Sequence, residues 1–454
     1  MKWIRIDRAF PLPDHVKKAL QRLDEAGHVA YIVGGSVRDL LLGRTAKDHD
    51  IATSASPDEL TDLFPEAITV GKAFGVLKIP IRDTSSEAQE FLEIATFRED
   101  LEYEDHRHPT NVKFSGPAED AKRRDFTINA LFYDPKTARI LDTVNGLEDL
   151  NAKLIRAIGN PRQRFREDAL RLLRAVRFSG ALDFAIEKGT AEALREKARL
   201  VSHVSGERIR DELNLMLTGP KPKLSIENLS SLGLLKVILP ELEALKGVAQ
   251  SPLYHPEGDV WAHTLKTLER LTQQHPKRSM VLAWGALLHD VGKAQASARN
   301  ARRNFNGHEV DGARITKIIC ERLRMSGAET EAISGLVADH LKFKDVFQMR
   351  ESTLQRFIRQ PHFEDLLELH HADATASDGN LAYYEFCASR FQEFKNQPTP
   401  SAPRLIDGND LIQLGIKPGP EFSQIIRTIE DLALEGALHS KEDALEYVIK
   451  HFVK

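Results

Sequence analysis

The sequence predicts an α/β amino-terminal head followed by an all-α remainder. Three observations carry this. Up to about Asn151, short apolar runs alternate with segments of helical spacing. Beyond it, strand signals nearly vanish and amphipathic helices follow one another. Inside the head, a strand-like run ends in Gly34-Gly35-Ser36-Val37-Arg38-Asp39, and Asp48-His49-Asp50 follows on the next strand.

Pro13–Ala26 has helical periodicity, and Val29–Val33 is a strand running into the glycine turn. Val37–Leu42 starts a helix that Gly43 stops. His49–Thr53 is a short strand. Ser56-Pro57-Asp58-Glu59 opens a helix with a capping hydroxyl, an early proline and acids. Val76–Pro80, Phe91–Phe97 and Ala130–Tyr133 are further strands. Glu99–Arg124 is too polar to pack and is expected to be a mobile loop. In the second part, Arg166–Leu182, Gly206–Leu217, His263–Gln273 and Met280–Leu288 are expected helices. Breaks fall near Gly219-Pro220, Ser251-Pro252 and Gln397–Pro403.

Composition bounds the function. A chain of 454 residues exceeds one core, so several domains are expected. It is 41% hydrophobic and 29% charged, as soluble globular proteins are. No apolar run is long enough for a bilayer, and the amino terminus lacks a signal-peptide core. Two cysteines make no disulfide framework, which fits a reducing cytoplasm. The net charge of −4 is uninformative about nucleic acid, but Arg156–Arg177 carries seven arginines against Glu167 and Asp168.

The glycine turn suits a phosphate. Gly34 and Gly35 let backbone N–H groups approach it, and Arg38 adds a charge-assisted fork. Asp48 and Asp50 leave one face of a strand, as a two-metal phosphoryl or nucleotidyl transfer site requires.

Four ordered motifs then carry a resemblance. They are the glycine–arginine and Asp-x-Asp elements, Arg123-Arg124-Asp125-Phe126-Thr127-Ile128-Asn129-Ala130, Asp142–Leu150, and Arg166–Arg174. Together they resemble the class II tRNA nucleotidyltransferase and bacterial poly(A) polymerase family, within the DNA polymerase beta-like superfamily. The resemblance implies a head with a mixed sheet. It also implies two Mg²⁺ ions held by Asp48 and Asp50, roughly 3.5–4 Å apart. Glu93, a charge in an apolar strand, is the candidate third carboxylate; its alternative is an outward-facing strand residue. Gly35, Arg38 and Arg124 would bind the nucleotide, whereas Arg123 could be a surface charge. The Glu99–Arg124 segment lies where the family has a flexible loop.

The arginine-rich helix suggests base reading. On one continuous helix, Asp168, Arg171 and Arg174 spread over about 120° of one face. The plain alternative is a surface ion pair. A carboxylate only accepts and a guanidinium only donates. Cytosine and adenine pair an exocyclic amino donor with a ring-nitrogen acceptor; guanine and uracil present the reverse. Asp168 and Arg171 would thus select C and A. The resemblance implies the same assignment, with Arg174 and Arg177 supporting base or phosphates.

A second set follows: His263, His289-Asp290, His308, His340 and Asp373. Its order and flanking residues resemble the HD phosphohydrolase superfamily over about 260–380. Such ligands admit Mg, Mn or Ni. His263, His289, Asp290 and Asp373 would hold one divalent ion; His308 and His340 would add a second or bind phosphate. The substrates this resemblance implies are phosphomonoesters and 2′,3′-cyclic phosphates, such as those at damaged RNA ends.

Leu405–Pro420 opens a short helix and turns into another, resembling the tail of HD-containing bacterial members. The expected organisation is a nucleotidyltransferase head (1–150), a helical neck with RNA-binding region (151–245), an HD domain (246–395) and a helical tail (396–454). The resemblance implies addition of CCA to the tRNA 3′ end from CTP and ATP, by shape recognition of the RNA. Poly(A) polymerase, CC-only and A-only addition, or a phosphohydrolase with an inactive head, are the alternatives.

Overall fold

The computed structural model describes residues 2–6, 9–46, 48–69, 75–81, 90–100, 112–252, 255–256, 258–299, 305–396 and 405–453. The chain divides into two compact units, Met1–Pro240 and Glu241–Lys454.

The first unit is built on an eight-stranded sheet. Its order is Lys2–Arg5, Arg139–Asp142, Phe132–Asp134, Ala30–Val33, Asp50–Thr53, Glu90–Thr96, Val76–Ile81 and Ile68–Thr69. Asp50–Thr53 and Glu90–Thr96 run parallel, with Asp50 opposite Glu93; the other neighbours are antiparallel. The sheet is therefore mixed, as expected. Both faces are covered. Ile32, Ile51 and Ile94 enter one core, while Val33, Ala52 and Phe132 enter another. Strand residues alternate between faces, so Asp50 shares the face of Ala52. Each fully buried Ile in such a core is worth about 1.5–3 kcal/mol.

Local chemistry sets the helices. Asp14–Glu25 buries Val16, Ala19, Leu20 and Leu23 at helical spacing. Pro57–Leu63 begins with the reciprocal Ser56–Glu59 capping box and a first-turn proline.

Two expectations are corrected. Glu99–Arg124 is not a loop throughout. Arg98–Asp100 pairs antiparallel with Val112–Phe114, and Pro117–Arg123 is a helix. The polar segment packs because Asp120, fully buried, neutralises Arg123 and Arg124 and accepts the Arg98 N–H. The stretch 101–111 lies outside the described residues. Second, Arg166–Leu182 is two helices, Pro161–Glu167 and Leu170–Leu182. Asp168 is extended between them (φ −140°, ψ 107°), and its carboxylate accepts the Leu170 N–H. An aspartate whose carboxylate bonds the N–H two residues on offers the backbone an alternative to continuing the first helix.

The second unit is helical. Val260–Gln274, Met280–Leu288, His308–Arg322, Gly327–Asp339 and Phe363–Ala376 form its centre. Gly408–Gln413, Pro420–Leu434 and Lys441–Phe452 share a core of their own, including Leu411, Ile425, Ile429 and Val448. No helix among the described residues is long and apolar enough to cross a membrane.

Candidate active site and candidate metal centre

The first unit carries a cleft of about 600 Å³. It is lined by Gly34, Gly35, Arg38, Asp48, Asp50, Arg124, Asp168, Arg171, Arg174 and Arg177, so each residue expected to hold the head's metal or the nucleotide, except Glu93, is gathered there. Gly34 takes a φ of +77°, which side-chain-bearing residues rarely adopt, and a Cβ there would face Asp50 Oδ2 and Arg124 Nη1 at 3.5 and 3.6 Å. The turn then opens the helix Gly35–Leu41, which delivers Arg38.

Asp48 is exposed and Asp50 partly buried. Burial, then the neighbouring Glu93 charge, pushes the Asp50 carboxyl up to about 6 despite Arg124. A carboxylate made this reluctant to ionise by burial and a neighbouring acid suits a bound cation, and the hard oxygen donors fit Mg²⁺. Glu93 stands opposite Asp50 but is bonded to Lys78 at 2.7 Å.

The arginines are held by partners to which the sequence alone assigned no role. Arg38 donates to Asp39 and to Asn129 Oδ1, at 2.9 and 2.6 Å. Asn129 donates in turn to Asp125, which accepts Arg174 at 2.6–2.8 Å. Burial works against the Asp125 charge, but Arg174, Asn129 and the Phe126 N–H outweigh it and hold the carboxyl at about 2. Arg124 makes two bonds to Asp120. Arg123 is no free surface charge: it lines the cleft and is bonded to the same Asp120. Arg177 donates to buried Glu212 at 2.6 Å. An acid embedded among arginines, as Asp125 is in its motif, was the available signal.

Asp168 and Arg171 are both present but do not share a helical face. Arg171 donates to Glu167 and to the carbonyls of Arg164 and Arg123. Arg208, from the helix Gly206–Thr218, reaches both Asp168 oxygens at 3.5 Å. The third motif lines no wall of the cleft. Its Asp142 accepts three backbone N–H groups, and Asp149 accepts the Thr127 hydroxyl, bracing the second motif.

In the second unit, His263, His289 and Asp290 gather one ligand atom each within 4.8 Å, and Asp290, His308 and His340 do the same. Asp290 joins the two groups: Oδ2 faces His289 at 3.3 Å and His263 at 3.7 Å, and Oδ1 faces His308 at 3.2 Å and His340 at 3.8 Å. Asp373 contacts His263 at 2.9 Å. Gly292 permits this assembly, since a Cβ there would lie 2.1 Å from the His308 carbonyl.

The imidazoles fit a metal. Nδ1 of His289, His308 and His340 lies 2.7–2.9 Å from the carbonyls of Ala286, Phe305 and Val337. A carbonyl only accepts, so Nδ1 carries the proton and a neutral ring presents a bare Nε2. Nε2 of His308 and His340 then face each other at 3.3 Å, two lone pairs that a shared cation would reconcile. Burial holds His340 at about 3, hence neutral at ordinary pH. Burial opposes the Asp290 charge, yet Lys293 and His289 outweigh it and keep that carboxyl well below its usual range.

Comparison with known proteins covers both units of the chain. The Poly A polymerase head domain matches residues 30–156, the probable RNA and SrmB-binding site of polymerase A matches 183–246, and the HD domain matches 260–373. The chain is 40% identical to the CCA-adding enzyme of Bacillus licheniformis, over 94% of this chain and 95% of that one. It is 31% identical to the A-adding tRNA nucleotidyltransferase of Deinococcus radiodurans, over 92% and 94%. The crystal structure of the Bacillus stearothermophilus CCA-adding enzyme in complex with CTP shares the fold, with a TM-score of 0.71 and 24% identity over 97% and 98% of the chains. With this identity and coverage, the chain belongs to the tRNA nucleotidyltransferase and poly(A) polymerase family, carrying an HD domain.

Proposed function

We propose that this enzyme adds C, C and A to the 3′ end of tRNA from CTP and ATP, with protein side chains in place of a template. The observation that carries the reading is one cleft lined together by Asp48, Asp50, Arg38 and the Asp168–Arg177 set. Asp48 and Asp50, with Glu93 behind them, would hold two Mg²⁺ ions. When bound, such ions acidify an attacking hydroxyl and offset the charge of a triphosphate. The chain's own groups do the rest. Gly35, Arg38 and Arg124 receive phosphate; Asp168 accepts from the exocyclic amino group of C or A, and Arg171 donates to the ring. Glu167 and two backbone carbonyls fix the Arg171 plane, so little side-chain entropy is lost on binding.

The second unit is proposed to be a phosphohydrolase. His263, His289, Asp290 and Asp373, with His308 and His340, would hold Mg, Mn or Ni, which activates water when bound. Phosphomonoesters and 2′,3′-cyclic phosphates at RNA ends are the proposed substrates. We also propose the division into head (1–150), neck (151–245), HD domain (246–395) and tail (396–454), and a cytoplasmic location.

Incubation with tRNA lacking its 3′ end and each nucleotide tests the main reading. Incorporation of C and A that stops after three residues is expected. Long A tracts on varied RNAs would instead make the chain a poly(A) polymerase. The identity to an A-adding relative supports a second reading, A-only addition. Extension of tRNA ending in CC, with none of tRNA lacking all three residues, would decide for it.

A further inference from the structure

Three guanidiniums pack against one ring. Arg177 Cζ stands 4.1 Å from the Phe178 ring centre, and those of Arg38 and Arg174 stand 5.2 Å from it. Arg38 comes from the glycine-turn helix, and the other two come from the helix that carries Phe178. All four residues line the cleft. Phe178 is itself fixed: it is 6% exposed and meets the buried Phe126 ring edge-on at 5.8 Å. Three like charges gathered this closely repel one another, and the negative face of an aromatic ring attracts each. Asp39, Asn129, Asp125 and Glu212 tether the same groups, using two nitrogens of Arg38, two of Arg174 and one of Arg177. A guanidinium has five N–H donors, so each keeps donors for a ligand.

We infer that Phe178 is a positioning residue for the nucleotide's phosphates: its ring sets the spacing at which Arg38, Arg174 and Arg177 receive them. The inference rests on the reading of this cleft as the nucleotide site. Asp48, Asp50 and Asp168 are unaffected by it, so it separates phosphate capture from base choice and from chemistry.

The test uses the full chain with Phe178→Met, which keeps an apolar side chain and removes the ring. KM for CTP and ATP should rise roughly tenfold while kcat stays within about twofold. The weakening should be larger for CTP than for CMP, and Phe178→Tyr, which keeps the ring, should restore KM. A KM within about twofold of the parent in a variant that melts normally overturns the inference. So does an equal loss for CTP and CMP, or a Phe178→Tyr variant as weak as Phe178→Met. Arginine-labelled NMR of the unmutated protein keeps the test decisive if a variant does not fold. CTP should shift the Nε–H signals of Arg38, Arg174 and Arg177 more than CMP does. Shifts at Arg124 and Arg171 without shifts at those three overturn this inference alone. No shift at any cleft arginine overturns the nucleotide-site reading beneath it.

Discussion

Replacing Asp125 by Asn keeps the shape of the side chain and removes the charge that Arg174 faces in a buried site. A carboxyl held at about 2 instead of 3.8 corresponds to about 2.5 kcal/mol of folding stability. Its folded pKa is depressed, so the contribution is present in full above pH 4 and is lost as pH falls from about 4 towards 2. At pH 3 about 1.3 kcal/mol should remain. Asp125→Asn should therefore cost about 2–3 kcal/mol at pH 7, with Arg174 left without its counter-charge, and about half of that at pH 3. Hydrogen exchange read by mass spectrometry on peptides from Leu170–Leu182 measures the loss, and peptides from Val260–Gln274 in the second unit serve as the control. A penalty below about 0.5 kcal/mol at pH 7, or one that does not shrink on acidification, would refute the buried-pair argument.

Three further outcomes are expected. Alanine at both Asp48 and Asp50 should lower nucleotide addition by more than about 10³-fold while phosphatase activity persists; comparable loss of both activities would contradict two independent sites. Asp168→Ala should narrow the preference for CTP and ATP over UTP and GTP by roughly 10–100-fold, measured as a ratio of kcat/KM values, and an unchanged ratio would remove Asp168 from base choice. Asp290→Asn should lower bound metal at both histidine groups, whereas His340→Ala should affect one; elemental analysis of the dialysed proteins distinguishes them, and equal metal content in the parent and Asp290→Asn proteins would count against the shared carboxylate.

The strands flanking the glycine turn were legible because alternation, glycine and proline act over a few residues. Val29–Val33 and His49–Thr53 were expected and Ala30–Val33 and Asp50–Thr53 are found. The helix break at Asp168 was not legible. Leu170, Leu172 and Leu173 continue the apolar spacing of the preceding segment, and the break coincides with one carboxylate accepting the backbone N–H two residues ahead. Glu99–Arg124 failed for a related reason. Its polarity argued for solvent, but the acids and arginines satisfy one another, with Asp120 taking both Arg123 and Arg124. Periodicity records apolar burial and is silent about polar groups that bury each other. The histidine set was legible as an ordered list. That Asp290 stands between two pairs of imidazoles was not, since it depends on how four helices converge.

The same pairing explains how the cleft tolerates its charge. Arg38, Arg98, Arg123, Arg124, Arg171, Arg174 and Arg177 all line it, against Asp48, Asp50, Asp100, Asp125 and Asp168. Much of the compensation comes from acids behind the arginines: Asp120, Glu167 and Glu212 bond to them without lining the cleft. This arrangement neutralises part of each guanidinium while fixing its plane, which leaves donors in place for an anion instead of mobile side chains that must be ordered on binding. An acid facing into the cleft would repel a triphosphate, whereas one behind an arginine strengthens the orientation of a donor that meets it. Among the described residues, the two carboxylates read as magnesium ligands have no such arginine clamp. Burial and the Glu93 charge raise the Asp50 carboxyl to about 6 despite Arg124, so the site's acidic part calls for a cation, while its basic part is pre-built for the anion.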